Sequence, residues 1–176
     1  MSANPPKVAV LMGSKNDWSI MQAACEQLDA LGIANQARVI SAHRTPQRHH
    51  DFVTTQAPAE GVKVFICGAG MAAHLAGVTA ALSSSPVIGV PLESGGLGGM
   101  DSLLATVQMP GGMPVATVAV GKAGAKNAAI LAAQMLGLAY PEIAQAGTDL
   151  RAKQTAGVLG VPGGARARAV SLPETG

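Results

Sequence analysis

The sequence predicts an α/β protein, a three-layer α/β/α unit built on a doubly wound parallel sheet. Three observations carry that expectation: five short apolar runs, intervening stretches with apolar residues at helical spacing, and glycine or proline where one pattern gives way to the other. Val8 to Met12 is continuously apolar and stops at Gly13-Ser14, as a parallel strand buried on both faces should. From Asp17 onward Ile20, Ala24, Leu28 and Leu31 recur at helical spacing, and Gly32 supplies a stop. Gln36 to Ile40 reads as the second strand, Ser41 to Thr45 as its exit loop and Pro46 as the first turn of a second helix. Val62 to Cys67 is the third strand, followed by Gly68-Ala69-Gly70 and an alanine-rich helix to about Ala81. Pro86 to Val90 is the fourth, ended by Pro91. Leu92 to Gly99 then reads as a mobile glycine-rich loop, and Ser102 to Val107 as a short helix capped by Asp101. Val115 to Val120 completes the strands, and Ala123 to Leu136 and Pro141 to about Thr155 read as the last two helices. This order is flavodoxin-like, with right-handed crossovers.

The 176 residues suit one domain. We assign 1–156 to a single α/β catalytic unit. Residues 157–176, where Gly, Pro, Arg and Ser replace periodicity, form a tail expected to be poorly ordered or wrapped over a neighbour. Apolar residues at 48% against 12% charged leave apolar surface that a homo-oligomer would cover. The 22 glycines and 2% aromatic content favour close backbone approach over ligand stacking on large rings. A net charge of +2 with scattered basic residues argues against a nucleic-acid partner. No stretch approaches the roughly 18 apolar residues of a membrane helix, and Met-Ser-Ala-Asn-Pro-Pro lacks an apolar targeting core, so a soluble protein is expected. Cys25 and Cys67 fall in different elements, as buried thiols of a reducing cytoplasm would.

In such a sheet a ligand lies beyond the carboxyl ends of the strands, and three loops there carry chemistry. Gly13-Ser14-Lys15-Asn16-Asp17 opens a helix whose free N–H groups can hold an anion. Ser14 and Asp17 also have capping-box spacing, so capping and ligand binding stand about even. Ser41-Ala42-His43-Arg44-Thr45-Pro46 gathers a hydroxyl, an imidazole and a guanidinium before a helix start, against the plainer reading of a solvated loop. Gly68 to Leu75 brings small residues and His74, which alone would more often be a solvated helix histidine. Following each of the first three strands, the loops converge on one crevice. His49 and His50 read as surface residues, and Met100, Met109 and Met113 as packing. There is no GxxxxGK[ST] loop, no GxSxG elbow and no His/carboxylate spacing suggestive of metal. A phosphate-bearing small molecule is the expected ligand, with His43 the strongest acid–base candidate.

The blocks GSKNDW, SAHRTP, GAGMAAHLAGV, PVIGVP, DSLLATVQMPGGMPV and GKAGAKNAAILAAQML, in that order, resemble the N5-carboxyaminoimidazole ribonucleotide mutase family from about Val8 to Met135. SAHRTP is similar to the bacterial type, whereas the animal carboxylase type typically carries SAHKGP. The resemblance implies a cytoplasmic homo-octamer of purine biosynthesis that moves a carboxylate from the exocyclic amine of a ribonucleotide to ring carbon C4, with no cofactor and no metal. It implies CO₂ release and recapture, with His43 as proton shuttle. It also implies that Ser14 and Asp17 bind substrate, that Ser41 and Arg44 contact its phosphate, and that Gly70, His74 and Leu75 line the imidazole and carboxylate. The ATP-dependent enzyme that forms the carbamate is the implied transient partner. Asn16 stands where Ser is usual and Ala76 where Pro is usual, and Ser94 to Gly99 is richer in glycine than the usual form. A non-catalytic nucleotide-binding module, a flavodoxin-like electron carrier and a carboxylase using free CO₂ are the rival readings. A lone Trp18 and a lone Tyr140 leave little to sandwich a flavin.

Overall fold

The structure is a computed structural model that describes residues 7–160. Five parallel strands, β1 (Val8–Met12), β2 (Asn35–Val39), β3 (Val64–Gly70), β4 (Val87–Leu92) and β5 (Ala116–Thr117), lie in the order β2-β1-β3-β4-β5. Between them run α1 (Trp18–Ala30), α2 (Pro46–Asp51), α3 (Ala57–Ala59), α4 (Leu75–Leu82) and α5 (Met100–Val107). Helices α6 (Gly121–Gly137) and α7 (Pro141–Leu159) follow. This is the flavodoxin-like doubly wound order.

Because strand side chains alternate faces, β1 divides its apolar run between two cores. Val8, Val10 and Met12 join Val64, Ile66, Ile88 and Val90 under α1 and α6, with Met21, Leu28, Ala125 and Ala129 from the helices. Ala9 and Leu11 join Phe65 and Cys67 under the opposite layer, with Phe52, Val53, Ala57 and Leu75. Alanine lets α6 sit close to the sheet, and Gly124 sits closer still: a Cβ there would lie 1.6 Å from the Ala119 carbonyl oxygen. The obstacle is backbone and cannot swing aside. Gly124→Ala is therefore expected to cost about 3 kcal/mol or more, read as a large fall in the thermal midpoint against wild type.

Several boundaries differ from expectation for physical reasons. Strand β3 continues through Gly70, so Gly68-Ala69-Gly70 is strand and not exit loop, and β4 runs through Pro91 to Leu92. Gly89 receives the Val118 N–H on the β5 side, and Pro91 faces the same side two residues later. Strand β5 has ended by then, so the missing Pro91 N–H breaks no ladder bond. As an edge strand β5 is only two residues long. Between α2 and α3 the helix widens into a π turn, Phe52–Gln56, where Pro58 has no N–H to give the Thr54 carbonyl.

Helix α5 begins at Met100 after Gly99, whose φ of 81° is left-handed. Asp101 thus lies inside the first turn and does not cap Ser102, and its Oδ1 is buried with no partner among the described residues. Helix α7 continues past Gly157 to Leu159, and residues 161–176 of the expected tail lie outside the described residues. Cys25 and Cys67 are free and buried, and burial pushes their thiols up to about 11 and about 12. None of the described helices is long and apolar enough to cross a membrane.

Candidate active site

With all strands parallel, their carboxyl ends share one edge of the sheet. The winding reverses between β1 and β3, the switch point where an open α/β sheet leaves a crevice. A cleft of about 490 Å³ opens there, walled by the loops that follow β1, β2 and β3. Seven of the expected residues, Ser14, Asp17, Ser41, His43, Arg44, Gly70 and Leu75, line it.

The first loop shows that capping and ligand binding are compatible. Ser14 Oγ accepts from Asn16 N at 3.2 Å and the Asp17 carboxylate accepts from Ser14 N at 2.9 Å, which makes the capping box. Ser14 still has a hydroxyl proton to donate and Asp17 a second oxygen to accept with. Burial raises the Asp17 carboxyl above its usual range, against the pull of the Ser14 N–H and the Arg44 charge.

The second loop is held by its own side chains. Thr45 Oγ1 donates to Ser41 O at 2.8 Å, and Ser41 Oγ accepts from Arg44 N at 3.1 Å. Arg44 then crosses to the first loop, donating through Nη2 to Gly13 O at 3.0 Å. This fixes the guanidinium plane across the cleft while other N–H groups of the fork stay available for an anion.

The third loop supplies floor and wall. A Cβ on Gly70 would lie 1.8 Å from Ser94 Oγ and 3.1 Å from Leu92 O, so any side chain there would displace Ser94 where the β4–α5 loop crosses β3. Met71, next along, adopts φ 55°, a left-handed conformation uncommon for a non-glycine residue, and its side chain reaches over Gly95. His74 does not line the cleft. Its Nδ1 lies 2.9 Å from His43 Nε2, with the rings edge-on at 85°.

Sequence reasoning did not assign Ser94, Met71 or Asn16 to the site, yet all three line the cleft. For Ser94 there was a signal: it is the first hydroxyl in a segment otherwise dominated by glycine. The reading of His49 as a surface residue is overturned. It is fully buried, its Nε2 is 2.9 Å from Thr79 Oγ1, and burial lowers its pKa. His50 is exposed as expected. Met100 and Met113 are 57% and 41% exposed in the single chain, so neither is core packing within it.

A family model described as AIR carboxylase matches residues 7–157. The chain belongs to the AIR carboxylase family. Relatives within it include the N5-carboxyaminoimidazole ribonucleotide mutase of Vibrio cholerae, 50% identical over 88% of this chain and 96% of the relative. The protein of the same name from Saccharolobus solfataricus is 58% identical over 79% of this chain and 86% of its own. Among solved structures, Treponema denticola PurE superposes with a TM-score of 0.80 at 27% identity, covering 88% of this chain and 95% of that one. The AIR carboxylase fold of this chain thus extends across nearly the whole of these relatives.

Proposed function

We propose that this member of the AIR carboxylase family is an N5-carboxyaminoimidazole ribonucleotide mutase, converting that carbamate to the 4-carboxy isomer in purine biosynthesis. The observation that carries the reading is the cleft itself. One wall offers an anion-binding fork, the floor is glycine, and His43, paired to His74, stands between them. The names of relatives at 50% identity and above supply the substrate.

The chemistry balances without any outside reactant. The exocyclic N–C bond of the carbamate breaks to give CO₂, the amine's electrons make C4 nucleophilic, and C4 forms a new C–C bond to the same CO₂. The C4 proton is taken up by His43 and ends on the amine nitrogen, so the imidazole returns to its starting state. Ser41 and Arg44 hold the phosphate, a remote contact that fixes the ring against the CO₂ pocket. Ser14 and Asp17 bind the substrate from the first loop, and Gly70 and Leu75 border the reacting ring. Confining CO₂ beside its acceptor removes a bimolecular encounter, an effect worth roughly 7–11 kcal/mol in favourable cases. No metal or cofactor is needed for these steps.

The same reading places the enzyme in the cytoplasm as a homo-octamer, with 1–156 as the catalytic unit. Support for assembly comes from α5, whose Met100, Leu104 and Val107 recur at helical spacing and are about half exposed in the single chain. The carbamate-forming enzyme of the pathway would be the transient partner. If CO₂ stays captive, the initial rate with carbamate substrate is expected to be unchanged when carbonic anhydrase and degassed buffer remove free CO₂. A rate that falls as free CO₂ is withdrawn would point to the carboxylase reading.

A further inference from the structure

His49 is a buried titratable group that the mechanism leaves unused, and its hydrogen bond shows which ring nitrogen donates. Thr79 Oγ1 donates its only proton to Leu75 O at 2.8 Å, one turn back along α4. At His49, 2.9 Å away, the hydroxyl oxygen can therefore only accept, so His49 Nε2 carries the proton. His49 Nδ1 is buried with no partner among the described residues. Cys67 Sγ approaches the same hydroxyl oxygen at 3.5 Å. The bond to Thr79 thus fixes Nε2 as the donor of a ring that is fully buried.

The position of this bond is what gives it a role. His49 N donates to Thr45 O at 3.0 Å, one turn below the loop that carries His43, and Val78 N donates to His74 O at 2.9 Å beside Thr79. Two histidine contacts of 2.9 Å thus join the segment that runs from the β2 exit loop into α2 with the segment that runs from His74 into α4, one contact exposed and one buried. His49 is the one buried residue of α2, and its hydrogen bond to Thr79 prescribes both distance and direction where apolar contacts alone could slide by fractions of an ångström. We propose that His49 is a positioning residue: its buried bond to Thr79 sets the spacing of α2 and α4 and so holds His43 and His74 in contact. This rests on the reading of His43 as the proton carrier.

The test compares wild type with His49→Leu and His49→Gln. Leucine removes the donor but leaves Thr79 its bond to Leu75, so no buried donor is stranded. Glutamine can place an amide N–H near the lost Nε2–H. Two readouts are taken: imidazole ¹⁵N signals of His43 and His74 in the free protein, and kcat and KM for the carbamate substrate. The expected result for His49→Leu is altered ring signals and a kcat roughly ten- to a hundred-fold lower with KM within about two-fold, as small misplacements near chemistry can produce. His49→Gln should recover most of both. If His49→Leu retains wild-type ring signals and kcat, His49 is only core packing and the proposal is overturned. Should that variant not fold, His49→Leu with Thr79→Val, which replaces both partners by apolar groups, is judged by the same outcomes. A wild-type protein without turnover would sink the proposed function, while the ring signals would still decide the role of His49.

Discussion

His43→Asn is expected to lower turnover by about 10²–10⁴-fold, the range general acid–base groups contribute, while ribonucleotide binding survives. Asparagine keeps a polar side chain of similar reach but cannot take up and return a proton near neutral pH. His43 stands at the cleft wall next to Arg44, yet its ring makes no bond to the loop that holds the guanidinium; its partner is His74. The loss should therefore appear in kcat. Titration of the variant with the 4-carboxy product, followed by single-turnover kinetics, separates the two effects. Full turnover by a variant that binds nucleotide normally would remove His43 from the mechanism.

Arg44→Lys is expected to weaken binding by about 1.5–3 kcal/mol, roughly ten- to a hundred-fold, the worth of hydrogen bonds to a charged group. The guanidinium does two things at once in this structure. It ties the second loop to the first through Gly13 O while donating to Ser41 Oγ of its own loop, and it presents the rest of its planar fork to the cleft. A lysine ammonium is a point donor that cannot do both. The change should fall mainly on KM, and it should shrink for a substrate analogue lacking the phosphate. Unchanged affinity and rate in the lysine variant would refute the phosphate assignment.

Much of the architecture was legible because its physics is local. A five-residue apolar run such as Val8 to Met12, flanked by Gly13, has few other fates, and the order of such runs specified the sheet. The convergence of three loops followed from the fold and required no contact to be known. What escaped was tertiary. His49 sits in the polar run Pro46-Gln47-Arg48-His49-His50-Asp51, which looks solvated. Its helical companions Phe52, Val53 and Ala57, at spacings of three, four and eight, were the overlooked sign that this face turns inward. The length of β4 depended on where β5 stops, which no local pattern around Pro91 encodes. The contact between His74 and His43 became visible only once the β2 and β3 loops were folded together.

The central claim is that one carboxylate moves within one molecule. The direct measurement supplies the purified protein with carbamate substrate carrying ¹³C in its carboxylate, without ATP and in the presence of unlabelled bicarbonate, and follows the label by NMR. The ¹³C is expected on the carboxylate attached to C4, undiluted by the unlabelled pool. Product whose C4 carboxylate comes from the unlabelled pool would contradict it and make the protein a carboxylase of free CO₂, and bound nucleotide with no product at all would leave a binding module.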